Sequence, residues 1–137
     1  MATLAQIRTG LAANLEAGLS GYQESPYFLL NPSPPAIQVV PGGITYDMAM
    51  RRGLDELELL VQAFVALTSD IGSQVKLDAL LAPTGAGSLK TAAESDPTLG
   101  GIVSDVNVVD ASGYTTAQGA NGPILLCEWS VQILAQN

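Results

Sequence analysis

Few residues in this chain could do chemistry, and their spacing decides what each can do. Asp55, Glu56 and Glu58 gather carboxylates of the kind that Mg²⁺ or Ca²⁺ takes as oxygen ligands. A calcium loop sets its ligands at regular intervals around a turning glycine, and this stretch does not, so the acids read as a solvated strand edge or a charged ring. Gly85-Ala86-Gly87-Ser88-Leu89-Lys90 places small residues ahead of Ser and Lys, as a phosphate loop does. The lysine would have to follow the last glycine directly, so the segment reads instead as a helix restarting. Ser20, Ser104 and Ser130 are nucleophiles without a base, since the chain has no His and no G-x-S-x-G turn. Cys127 lies in an apolar run and reads as a small hydrophobe; Trp129, two residues on, reads as a core or interface anchor. Arg51 and Arg52 form the one basic pair, either the polar end of a hairpin or a partner for acids of a neighbouring chain.

Composition narrows the function further. The chain has 137 residues, 5 Lys+Arg against 13 Asp+Glu, and a net charge of −8. Its length predicts one domain over residues 1–137 with a core of its own. Without His and with a single Cys, structural zinc sites, His-dependent triads and disulfides within the chain are excluded, and no cofactor or metal is implied. Five scattered cations cannot track a phosphate backbone, which argues against specific nucleic-acid binding. Charged residues make up 13% of the chain and hydrophobic ones 47%. That balance is apolar for a small domain, and it predicts surface that meets other subunits. No run approaches the ~20 apolar residues of a spanning helix, and the first eighteen residues do not read as a signal peptide. With the lone Cys, this predicts a soluble protein made in a reducing cytoplasm.

The elements that must position these residues follow from periodicity. Leu4, Ile7, Leu11 and Leu15 mark an amphipathic helix with Thr3 available as its cap and Gly18 just beyond it. Leu19 to Pro35 is rich in Gly, Ser and Pro and predicts a long irregular crossing. Its Tyr22, Tyr27, Phe28, Leu29 and Leu30 either tuck onto the domain's own core or dock on a neighbouring chain. Ala36–Val40 predicts a strand closed by a turn at Pro41-Gly42-Gly43, and Ile44–Arg51 a second strand. Arg51–Asp55 reads as a connection. Glu56–Leu67 fits both a helical stripe and an alternating face; pairing with the preceding strand favours strand. Ser69 and Asp70 cap a second helix, with Ile71, Val75 and Leu77 to Leu81 on its buried side, and Ser88 caps a short third one to about Glu94. Ile102–Asp110 and Ile124–Ala135 read as strands. Between them Asp110–Pro123, with Tyr114 at its centre, reads as a mobile or partner-ordered hairpin tip. The order predicts an α+β fold of two layers, a mainly antiparallel β-sheet with helices packed on one face. Apolar residues on both sides of the strands, notably Leu60, Phe64, Leu125 and Trp129, predict that the uncovered face meets copies of the chain.

Five stretches carry a family resemblance: LAQIRTGLAANLEA, PAIQVVPGGITYD, RRGLDELELLVQAFVAL, SDIGSQVKLDALLAPTGAGSLKTAAESDPTLGG and GPILLCEWSVQILA. Together the chain resembles the tail-terminator proteins of long-tailed phages, particularly siphophages of actinobacteria. The resemblance implies helices on one face of a sheet and six copies in a ring at the head-proximal end of the tail tube. It implies as partners the chain itself as a homohexamer, the major tail-tube protein and the head-neck stopper or connector proteins. The location it implies is the virion head–tail junction, with assembly in the host cytoplasm. Viral DNA would pass through the lumen without specific binding, and the negative charge would repel its phosphates. The family has no catalytic residues to carry over. Physical reasoning puts subunit contacts at Tyr22, Tyr27, Phe28, Arg51, Arg52 and Tyr114. The alternatives are another connector component, such as a neck stopper or tail-tube subunit, and, from a different class, a ligand-binding or enzymatic α+β domain acting as a dimer.

Overall fold

The first helix, α1 (Leu4–Gly18), starts where the sequence provides a reciprocal cap. The Thr3 hydroxyl accepts from the Gln6 N–H at 3.2 Å, and the Gln6 side-chain oxygen accepts from the Thr3 N–H at 2.8 Å. Two of the orphan donors at the helix start are thereby satisfied. The helix buries Ile7, Leu11, Ala12, Asn14 and Leu15. The structure, a computed structural model, describes residues 3–19, 23–25, 36–46, 54–66, 70–85, 87–119 and 122–136. Beyond α1 the elements are β1 (Gln23–Ser25), β2 (Ala36–Thr45), β3 (Leu54–Ala66), α2 (Asp70–Leu80), α3 (Leu89–Ala93), β4 (Asp105–Gly119) and β5 (Gly122–Gln136).

The strands form one sheet in the order β1-β2-β3-β5-β4. Four of them are antiparallel, and β1 adds a short parallel edge along Ala36–Gln38. The expected α+β architecture holds, with the helices packed on one face. That face is made by Ile37 and Val39 of β2, Leu57, Leu59, Val61, Ala63 and Val65 of β3, and their partners on β5, all in the core with α1, α2 and α3.

Several boundaries differ from the sequence expectation. Pro41-Gly42-Gly43 is no turn: β2 runs through it as one strand, with a bulge between Pro41 and Gly43. The β1 pairing ends at Gln38, so β2 is an edge at Pro41, where a missing N–H is tolerated. A Cβ at Gly42 would lie 3.1 Å from the Glu58 carbonyl oxygen, so glycine permits the close approach of the bulge. Asp55 belongs to β3 rather than to a connection. The crossing from Leu19 to Pro35 contains β1, which composition did not reveal.

The expected hairpin tip is mostly strand. β4 stays in register with β5 as far as Gly119 opposite Gly122, absorbing one extra residue after Val108 and another after Ser112. Gly113, at φ +71°, sits in the second bulge, so the glycine signals a kink within a strand rather than its end. At the first bulge, the Glu94 carboxylate accepts from the Val108 N–H at 2.8 Å and from Lys90 Nζ at 2.6 Å. Glu94→Ala should therefore cost about 1–2 kcal/mol, because a backbone donor loses its acceptor. Lys90→Ala should cost less, about 0.5 kcal/mol, since it leaves the Glu94 bond to the Val108 N–H in place and removes only a partly exposed ion pair. Urea titration of the two variants checks the contrast.

Candidate interaction surfaces

Among the described residues the chemistry-bearing side chains do not converge. Asp55 is buried on the helix-covered face, while Glu56 and Glu58 point to the other side, where Glu56 accepts a hydrogen bond from the Gln132 side chain. Among the described residues no group of three His, Cys, Asp or Glu side chains gathers to hold a metal ion. The Ser88 hydroxyl is buried as the cap of α3, accepting from the Thr91 N–H at 3.2 Å and donating to the Ala82 carbonyl at 2.5 Å. That is a structural use of the Gly-rich segment. Among the described residues no helix is long and apolar enough to cross a membrane.

The open sheet face differs from its expected character. Leu125 and Trp129 pair with Val65 and Val61 and are buried beneath the helices, so they belong to the core. Leu60 and Phe64 do lie on the open face, half-buried. A polar ladder runs between them: Gln38 Nε2 donates to Gln62 Oε1 at 2.7 Å, and Gln62 Nε2 to Glu128 Oε2 at 2.8 Å. Because the side-chain period in a strand is two, one step along β5 separates the buried Cys127 and Trp129 from this ladder.

Among the described residues, exposed apolar surface lies in a hollow along α1 beside Ile102, at Val109 of β4, and in two further, unlike patches. The first is a groove of about 280 Å³ between the start of α1 and one end of the sheet. Ile7 and Leu57 form its buried floor, and Ile44 and Tyr46, 38% and 68% exposed, stand at its rim beside Leu4 and Asp55. The second patch is a ridge. Ile71 and Val75 on α2 are 76% and 58% exposed, contrary to the expectation that they face the core. Leu77 and Leu80 take the buried side, roughly 120–180° round the helix from them. The sequence holds this signal: at 100° per residue, Ile71 and Val75 cannot share a face with Leu77 and Leu80. Tyr114, 41% exposed, adjoins the ridge, its hydroxyl donating to Asp78 one turn beyond Val75.

Tyr114 is thus tied to a helix of its own chain, at the edge of an exposed patch. The other expected contact residues, Tyr22, Tyr27, Phe28, Arg51 and Arg52, lie outside the described residues. Ile44, Tyr46, Ile71 and Val75 were not foreseen as surface residues. With the geometry of these surfaces in hand, comparison with known proteins finds no matching family model and no matching curated protein.

Among the described residues, two groups hold their protons more tightly than usual. Burial pushes the Cys127 thiol above its ordinary 9.0; a backbone hydrogen bond at Glu128 works the other way, and the Glu128 charge adds to the rise. The Tyr114 phenol lies above its ordinary 10.0, first through desolvation and then through the hydrogen bond and charge of Asp78. Sulfur donation to the Ser112 carbonyl at 3.3 Å also favours the thiol, so Cys127 is a poor nucleophile. Both pKa values are raised in the fold, so their contribution to stability is complete below the ordinary values. It is lost as pH rises through the folded ones. The urea midpoint should fall from about pH 9 upward, and Tyr114→Phe combined with Cys127→Ala should flatten that slope.

Proposed function

We propose that this chain is a structural virion subunit rather than an enzyme, a tail terminator. Six copies close into a ring that caps the tail tube, ends its polymerisation and joins the tail to the head-neck connector. The observation that supports this reading is that the chain exposes apolar surface at several unlike places, the groove and the α2 ridge among them. The groove lies at the level of Leu57, and Tyr114 at the ridge lies at a bulge facing Cys127, the β5 partner of Ala63. The two levels are roughly 20 Å apart along β3. A two-fold dimer needs one self-complementary patch, whereas a ring needs two different surfaces on every subunit. The number six and the place at the head–tail junction rest on the five stretches resembling tail terminators. The net charge of −8 suits a conduit through which DNA passes without sticking.

Adding the chain to a polymerising tail-tube protein tests the reading. A terminator shortens the tubes in proportion to its concentration and appears as a ring at one tube end in electron micrographs. Tubes of unchanged length with bare ends would refute this role. A chain that elongates into tubes by itself would be a tube subunit instead.

A further inference from the structure

We propose that two copies of the chain pair along the outer edge of β4, antiparallel about a two-fold axis at Ala117, and form one continuous sheet. β4 is the last strand on its side of the sheet, and among the described residues no backbone hydrogen bond outside its ladder with β5 reaches residues 109–119. The other stretches of edge are blunted. β1 spans three residues; at β2 the Arg8 guanidinium donates to the Val39 carbonyl at 2.9 Å, and Pro41 and a bulge follow. The first half of β4 carries Asp105 and Asp110, and at Val108 the Glu94 carboxylate takes the N–H while Lys90 Nζ lies 3.5 Å from the carbonyl oxygen. None of these devices continues past the bulge at Gly113. Ala111–Gly119 has no charge and no proline, and Thr115–Gly119 stays in unbroken register with β5.

This edge is complementary to itself. Pro123 has no N–H to give to the ladder, so its partner Gln118 turns its own N–H and carbonyl outward, and alternation turns those of Thr116 the same way. With Ala117 on the axis, Thr116 of each copy faces Gln118 of the other, and the two pairs exchange four backbone hydrogen bonds. The small Ala117 side chains meet at the axis, where the strands of a non-hydrogen-bonded pair come closest. Like charges opposite one another would weaken the pair, and here they stay apart: each Asp110 is seven residues from the axis, roughly 45 Å from its counterpart along the strands. Tyr114 adds an apolar flank. Its hydroxyl reaches Asp78, which lies within about 60° of the exposed Ile71 and Val75 round α2. An axis normal to the sheet leaves both helix layers on one side, so the two ridges flank the seam and lose water there. The pairing goes beyond the ring reading and does not depend on it: a ring of six has no two-fold contact within it, so the paired state is that of copies off the tube.

Sedimentation of the chain without tube protein should show a dimer. Ala117→Cys in a Cys127→Ala background, oxidised with diamide, should give a covalent dimer. Ala117→Lys sets like charges together at the axis and should raise the dimer dissociation constant about 100-fold while keeping the far-ultraviolet circular dichroism of the parent chain. Gln118→Pro removes an outward N–H, leaves the β5 ladder intact and should weaken the dimer in the same direction without a charge. Dimers that survive both substitutions and do not cross-link through Ala117→Cys would overturn the edge contact. A free chain that sediments as a monomer at every concentration, or as a closed hexamer, would overturn the pairing, and the hexamer would leave the ring reading standing. A monomer whose Ala117→Lys variant loses its hold on tail-tube protein would overturn the pairing in favour of an edge that takes a strand of the tube subunit.

Discussion

Gly18→Val should unfold about 3 kcal/mol more easily than the parent chain, a large effect for a residue at the end of a helix. A Cβ at Gly18 would stand 2.6 Å from the Ala92 Cβ and 3.0 Å from its Cα. Real side chains do not approach so closely, and here the obstacle includes backbone, so α1 and α3 must move apart. The short α3 has little freedom to yield. Ser88 caps its start, the Asn14 amide holds the Ala93 carbonyl, and Ala92 is itself buried. Replacing glycine in a helix usually gains up to about 1 kcal/mol of propensity, which opposes the effect. Overpacking costs about 1–3 kcal/mol and exceeds it, the more so with the two γ-methyls of valine. The alanine pair isolates the cause: Gly18→Ala is destabilising alone, and Ala92→Gly restores the room, giving a coupling of about 1–2 kcal/mol in a double-mutant cycle. Urea denaturation reads it, and a Gly18→Val chain as stable as the parent would disprove the close approach.

Asn14→Asp should cost about as much at neutral pH, with a dependence on acidity that identifies its origin. The Asn14 amide is buried and donates to the Ala93 carbonyl at 3.1 Å and the Asp96 carbonyl at 3.0 Å. It thus ties α1 to the end of α3 and to the turn that leads into β4. Aspartate is close in shape but presents an oxygen where two carbonyls require a donor. Its ionised form would be buried against like partial charges, at a cost of about 2–4 kcal/mol. Such a carboxyl has a raised pKa in the fold. Its penalty is small below the unfolded value near 3.9 and grows as pH rises. Asn14→Leu removes the same bonds without a charge, so it should lose about 2–3 kcal/mol at every pH. Denaturant midpoints of both variants at about pH 4 and pH 7 check the difference.

The readable parts of the fold were those where one local signal had a single meaning. Thr3 as a cap, the alternation from Leu57 to Val65, and Ser88 ahead of an Ala-rich turn each gave the right element. Elements went astray where partners decided. Gly42 and Gly113 are turn residues in composition, but each serves a bulge in a strand held by its neighbour. β1 spans three residues and exists because Ala36–Gln38 lies alongside it. Leu99, a non-glycine residue at φ +51°, accepts a strain of about 1–2 kcal/mol because its side chain is buried beside Gly10 of α1. Nothing in its immediate neighbours announces that choice.

The exposed apolar patches were legible only in outline. Low charge and high apolar content led to the expectation of apolar surface, but alternation alone could not say which face carries it. Leu125 and Trp129 drew attention for their size and proved to be core, whereas Ile71 and Val75, judged core by type, are the ridge. Assigning them needed the phase of α2, which is fixed by Leu77 and Leu80 packing under it. Tyr114 was foreseen at a contact, and its own anchor to Asp78 is a tertiary fact that spacing along the chain could not supply.

Native mass spectrometry of the full chain, alone and with tail-tube protein, tests the central claim most directly. A closed hexamer, present on its own or assembled on the tube end, is the result predicted here. A monomer or dimer that stays so in the presence of the tube would contradict it.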